Sequence, residues 1–293
     1  MITKTIVQAL KPFQLASLTL TYFLGVGLVQ YVRGMRSLPM IIEGFVFLLM
    51  VVISTELIVL SERLKERNQW LEGMQERDIR QIKWIILFIN AAFLTVATTL
   101  VVGWMMRGIL WRGLSFLLIV VVVACIGCFL TQVVESARSL KLFLETIIYL
   151  ILPPALAFFL QSSDLHPFLT MTMVCLVPSY VAYRLFIQIR QFGFDQKRGS
   201  QTIAVKIGWE KSMVFHNASI LLTYLFFALI ALIGFPWFLI WPVFLTLPIG
   251  LVEIWLMERT RRGKKPLWRV MQTATALVFF FPIYLLGFAF WIR

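Results

Sequence analysis

Apolar residues run along this chain in long blocks, over 14–32, 39–60, 82–104, 110–133, 144–161, 168–186, 212–234, 237–257 and 270–291, with polar residues gathered in the connections. Each block approaches the ~20 residues with which an α-helix crosses the hydrocarbon core of a bilayer. The pattern predicts an all-α polytopic membrane protein, with nine transmembrane helices in a single domain over 1–293. The block at 144–161 contains Pro153-Pro154. Proline lacks an amide donor, so a break or kink is expected there.

Composition agrees with the pattern. The 293 residues are 60% hydrophobic and 14% charged, with mean hydropathy +0.87, whereas a soluble domain is roughly a quarter charged. Of the 27 Lys and Arg, all but Arg33, Arg36, Arg107, Arg112 and Arg293 fall in the N-terminal segment or in the connections after the second, fourth, sixth and eighth blocks. The positive-inside rule then predicts a cytoplasmic N-terminus and a C-terminus on the opposite side. The net charge of +13 faces anionic lipid headgroups, so the bilayer and not nucleic acid is the expected partner. Met1–Gln14 leads into the first block without a small-x-small cleavage pattern, which predicts an uncleaved first helix.

Two charged connections carry a pattern. Tyr183–Gly208 reads as a helix leaving the membrane, a polar loop and the start of another helix, with Asp195 its one acid. Gly199 and Gly208 are expected at bends that need positive φ. After the second block, Glu62 and Glu66 lie four apart within Ser61–Asn68. On a helix they share a face and can hold one cation, or they belong to a solvated terminus laced by Glu–Arg pairs. Trp70–Lys83 is polar and predicts a short cap helix on the membrane surface.

From Asp195 onward the order D-x-K-x-G-x-x-T-[IL]-x-V-[KR]-[IL]-G, with Asp195, Lys197, Gly199, Thr202, Val205 and Gly208 in register, resembles the second acidic motif of the UbiA-type intramembrane prenyltransferases. The family's D-x-x-R-D-x-x-x-D pattern before it corresponds here to Gln188, Arg190, Gln191 and Asp195: the arginine and the last acid are kept, and amides replace earlier acids. Glu62 to Arg67 resembles the latter half of the family's N-D-x-x-D-R-x-x-D-R motif, whose Asn-Asp pair falls on Ile58 and Val59. Leu140-Lys141 matches the end of a Tyr-Ser to Leu-Lys element, with Arg138 on the same helical face as Lys141.

The resemblance implies a UbiA-like bundle with cytoplasmic cap loops that transfers a prenyl group from a prenyl diphosphate to an aromatic or lipophilic acceptor. It implies Mg²⁺ held by Glu62, Glu66 and Asp195, with Gln188 and Gln191 as neutral oxygen donors. It places the diphosphate among Arg63, Arg67, Arg138, Lys141, Arg190 and Lys197. Such cations and the metal neutralise the leaving group as the prenyl bond ionises. The replaced acids keep a second reading open: a non-catalytic relative that binds an isoprenoid, quinone or pigment, or a membrane subunit of a larger complex. A transporter ranks third, because no chain of intramembrane charges marks an ion path.

The remaining polar residues carry no assigned role. Glu56 lies inside an apolar block and is costly there unless it faces the bundle interior. Glu43 and Glu253 are expected near interfaces, and His166 and His216 as single, unpaired histidines. Cys125, Cys128 and Cys175 sit in apolar runs and read as buried structural thiols. Tyr180, Tyr183, Phe186 and Phe192 supply aromatic faces close to the expected site.

Overall fold

The computed structural model describes residues 12–34, 37–63, 76–133, 139–163 and 165–292. The described chain is helical throughout and has no strand. Its helices are α1 (Pro12–Arg33), α2 (Leu38–Arg63), α3 (Glu76–Met106), α4 (Arg112–Val133), α5 (Lys141–Thr146), a π-helical segment (Ile147–Ile151), α6 (Leu152–Phe159), α7 (Pro167–Lys197), α8 (Ile203–Ile207), α9 (Trp209–Leu232), α10 (Trp237–Phe244), α11 (Leu247–Arg261) and α12 (Trp268–Ile292). Among the described residues 9 stretches are long and apolar enough to cross a membrane; α5, the π segment and α6 together make one, and α10 with α11 another. The protein is a multi-pass integral membrane bundle.

Helix α1 packs against α12, α6 and the π segment, while α7 packs against α9 and α12, and α2 against α3 and α4. Small residues set how closely these helices approach. A Cβ on Gly25 of α1 would lie 2.5 Å from the Cα of Pro154, so only glycine lets the two backbones meet. By contrast α3 turns most of its surface outward, with Trp84, Ile85, Leu87 and Phe88 exposed to lipid.

The expected break at the double proline is a π turn. Pro153 has no N–H for the carbonyl of Tyr149 one turn earlier, and an unpaired carbonyl inside a bilayer is costly. Ser17 Oγ on α1 donates to that carbonyl at 3.2 Å, and Thr21 Oγ1 lies 3.1 Å from it, its one proton shared with the Ser17 carbonyl at 2.8 Å. The kink is thus fixed by hydroxyls from the neighbouring helix.

Helix α7 differs from expectation in length. It continues well past residue 186 to Lys197, so Arg184, Gln188, Arg190 and Asp195 belong to a helix and not to a loop. The polar positions keep helical spacing, and Leu185, Phe186 and Ile189 between them are buried. The helix ends where Gly199 takes φ 66, with the Ser200 N–H donating to the Asp195 carbonyl at 2.9 Å. Gly208, at φ 90, caps the start of α9. Both predicted bends are present. The separate cap helix expected over Trp70–Lys83 is not found in its described part, because from Glu76 the chain is already the first turns of α3.

At the end of the bundle away from these charged connections, Arg107 holds the Glu43 carboxylate with both terminal nitrogens, at 3.1 and 2.5 Å, and Trp104 Nε1 adds a bond at 2.7 Å. Glu43 sits in the second turn of α2, and its carboxylate is fully engaged by these two residues.

Candidate functional site

Spans that alternate in direction bring the C-terminal ends of α2 and α7 and the N-terminal end of α5 to the same end of the bundle. Lys206 Nζ, beyond α7, donates to Ser139 Oγ just before α5 at 3.0 Å. This end carries the charged connections.

The predicted residues are distributed there as follows. On α7, Asp195 is half-buried, Gln191 and Lys197 are exposed, and Arg184, Gln188, Gln191 and Asp195 follow one another at intervals of three or four, which places them on one helical face. Gln188 Oε1 accepts the Ala204 N–H at 3.1 Å, so it pins α8 back onto α7. Arg190 Nη1 donates to Gln272 Oε1 of α12. Lys141 opens α5 and is half-buried. Glu62 and Arg63 form the last turn of α2. Glu66, Arg67 and Arg138 lie outside the described residues, as do the side-chain positions of Glu62 and Arg63.

Among the described residues no cluster of three or more His, Cys, Asp or Glu side chains is poised to hold a metal. Asp195 is the one carboxylate that α7 brings to the candidate site. A donor set of this kind suits Mg²⁺ when phosphate oxygens and water complete the octahedron, and it does not suit a cage made of protein alone.

Deeper in the bundle lies a polar layer that sequence reasoning missed. Arg184 Nη2 pairs with Glu145 Oε2, and Gln14 Nε2 donates to Glu145 Oε1 at 3.0 Å. The Tyr149 hydroxyl donates to Glu56 Oε1 at 3.0 Å. Glu56 and Glu145 line one cavity with Thr55, Cys125, Cys128 and Tyr149, and it has room for about one water molecule. In the other half, His216 Nε2 lies 2.9 Å from Glu253 Oε1, both side chains fully buried, and Thr275 donates to the same oxygen.

These pairs correct two expectations. His216 lies against Glu253, and Glu253 is buried in the bundle instead of lying near an interface. Glu56, Glu145, Arg184, His216 and Glu253 all lie in membrane-spanning segments. The available signal was their presence within apolar blocks, where an ionisable residue marks a site by default. Cys128 and Cys175 are buried as expected, Cys125 is half-buried, and none of the three is in a disulfide. Tyr180 and Tyr183 pack on Phe279, with ring centroids 5.4 Å away in each case.

A UbiA homolog from Archaeoglobus fulgidus, in a structure bound to GPP and Mg²⁺, is similar to this chain with TM-score 0.59 and 15% sequence identity, over 98% of this chain and 99% of that one. The fold is UbiA-like. No protein-family model matches this sequence. No curated protein matches it either. The UbiA-like fold thus rests on the path of the backbone, and the charged ends of α2 and α7 are the parts of this UbiA-like bundle on which the sequence motifs fall.

Proposed function

We propose that this protein transfers a prenyl group from a prenyl diphosphate to an aromatic or lipophilic acceptor, at the cytoplasmic end of α2 and α7, with a cytoplasmic N-terminus. The observation that carries this reading is the register of Asp195, Lys197, Gly199, Thr202 and Gly208 at the end of α7, in a fold shared with a homolog whose structure contains GPP and Mg²⁺. In this reading Asp195, with Glu62 and Glu66, holds Mg²⁺ against the diphosphate, and exposed Gln191 adds a neutral oxygen. Arg63, Arg67, Arg138, Lys141 and Lys197 neutralise the remaining charge. Mg²⁺ would supply charge stabilisation for the leaving diphosphate. The chain's own apolar helices would exclude water from the prenyl cation.

Gln188 and Arg190 are assigned differently. Their side chains are engaged with Ala204 and Gln272, so they hold α8 and α12 in place beside the site. These engaged groups and the amides at earlier acidic positions favour the second reading, a binding protein for an isoprenoid, quinone or pigment. The two separate on one experiment: purification with native lipids, mass spectrometry of any bound isoprenoid, and turnover with prenyl diphosphates of several chain lengths. Turnover lost in Asp195→Asn supports the transferase. A stoichiometric bound isoprenoid with no turnover on any donor overturns it in favour of binding.

A further inference from the structure

We propose that the corner where α11 turns into α12 holds the headgroup of one anionic phospholipid, an inference that does not depend on the transferase reading. From Glu258 to Arg269 the chain carries six cations, Arg259, Arg261, Arg262, Lys264, Lys265 and Arg269, against a single acid. That acid is already engaged: Glu258 accepts from Arg261 Nε and Nη2 at 2.8 Å each and from Arg262 Nε at 3.1 Å. Lys264, Lys265 and Arg269 are exposed, and no acid among the described residues forms an ion pair with them. Cations crowded in this way repel one another, and a phosphate from outside the chain relieves the repulsion.

The faces that lead to the corner suit the rest of a lipid. Leu251, Trp255 and Arg259 follow at intervals of four along α11, which places them on one side of the helix. Leu251 and Trp255 are exposed, and the Arg259 guanidinium lies 5.9 Å from the centre of the Trp255 ring. This side therefore passes from alkyl to indole to guanidinium over about 12 Å of helical rise, the order in which a lipid passes from acyl chain through the interface to phosphate. On α12, Arg269, Thr273 and Leu277 run from charge to alkyl with the same spacing, all of them exposed. The two helices pack together, with Thr260 on Met271 and Thr275 on Glu253, so their basic ends meet at one corner.

The turn gathers the lysines. Gly263 takes φ 80, and the Lys264 N–H donates to the Arg259 carbonyl at 3.3 Å, so Lys264 and Lys265 follow directly on the last turn of α11. Arginine offers a phosphate two parallel N–H donors, and lysine adds a mobile charge. A zwitterionic lipid carries its own ammonium beside its phosphate and neutralises less of this charge, so the ligand is an anionic one. Exposed Leu251, Trp255 and Leu277 add apolar contact only for a molecule that has acyl chains, so the phosphate belongs to a lipid.

The test uses the full chain in detergent micelles, titrated with phosphatidylglycerol or phosphatidylcholine of the same acyl chains and read by native mass spectrometry of the lipid-bound states. The expected result is one phosphatidylglycerol held in clear preference to phosphatidylcholine. Lys264→Gln with Lys265→Gln should weaken its binding about tenfold or more, since each cation beside an anionic headgroup contributes roughly fivefold. Arg269→Gln, on the other helix, should weaken it in the same direction, which guards the result against misfolding of the turn. Arg80→Gln with Lys83→Gln removes as much charge as the lysine pair from the start of α3 and should leave the binding unchanged. Equal retention of the two lipids overturns the proposal, as does displacement of the lipid by equimolar inorganic phosphate. A loss in the α3 pair equal to that in the lysine pair also overturns it, because the attraction would then be diffuse and not a site.

Discussion

Glu145 on α5 and Arg184 on α7 form an ion pair whose side chains are 3% and 13% exposed. The pair joins the two parts of the bundle at a depth where neither charge could stand alone. Arg184 Nε is buried without a hydrogen-bond partner, so the pair is held by the carboxylate on one side only. Removing either partner leaves the other charge buried and uncompensated, which costs about 3–5 kcal/mol. Arg184→Met should therefore lower the thermal unfolding temperature strongly, and Arg184→Met with Glu145→Leu should recover most of the loss. A double variant no more stable than the single one would contradict the pairing.

The approach of α1 to α6 depends on Gly25. Gly25→Ala would place a methyl group 2.5 Å from the Pro154 backbone, which must move, at a cost of about 1–3 kcal/mol by the usual scale of overpacking. Denaturation of Gly25→Ala beside wild type measures it. Gly34→Ala, where a Cβ meets nothing within 4 Å but φ is +74, separates backbone strain from crowding.

Ser17 and Thr21 are expected to act together on the Tyr149 carbonyl. Ser17→Ala or Thr21→Val alone leaves one donor in place, whereas the double change leaves the carbonyl unsatisfied and costs about 1–3 kcal/mol. A double-mutant cycle read by unfolding should show that the loss exceeds the sum of the two single effects. Simple additivity would mean that the two hydroxyls act independently.

The proposed orientation is tested at the exposed Gln201, between α7 and α8. A Gln201→Cys variant should resist a membrane-impermeant maleimide added to intact cells and react once the cells are opened. Labelling of intact cells would reverse the topology.

Sequence made the spans legible because each had to supply a long apolar run, and the bends at Gly199 and Gly208 because glycine tolerates the backbone conformations found there. It did not reveal how far α7 extends. Arg184 looked like the first loop charge, and its partner Glu145 lies 39 residues earlier in the chain. The pairs Glu56–Tyr149 and His216–Glu253 were hidden for the same reason: helical spacing tells which face a residue occupies, whereas the neighbouring helix is set by packing. The contact that Gln188 makes was not legible either, because an amide on a polar face can ligate a metal or brace a loop, and the structure shows its Oε1 accepting the Ala204 N–H.

The central claim is that the α7 end binds a prenyl diphosphate through a metal held by Asp195. Calorimetric titration of the purified protein in nanodiscs with geranyl diphosphate, with Mg²⁺ and with the metal chelated, tests it most directly. The account predicts binding that requires Mg²⁺ and weakens about tenfold or more in Asp195→Asn, equivalent to about 1.4 kcal/mol. Equal affinity with and without the metal, or an unchanged affinity in Asp195→Asn, would contradict it.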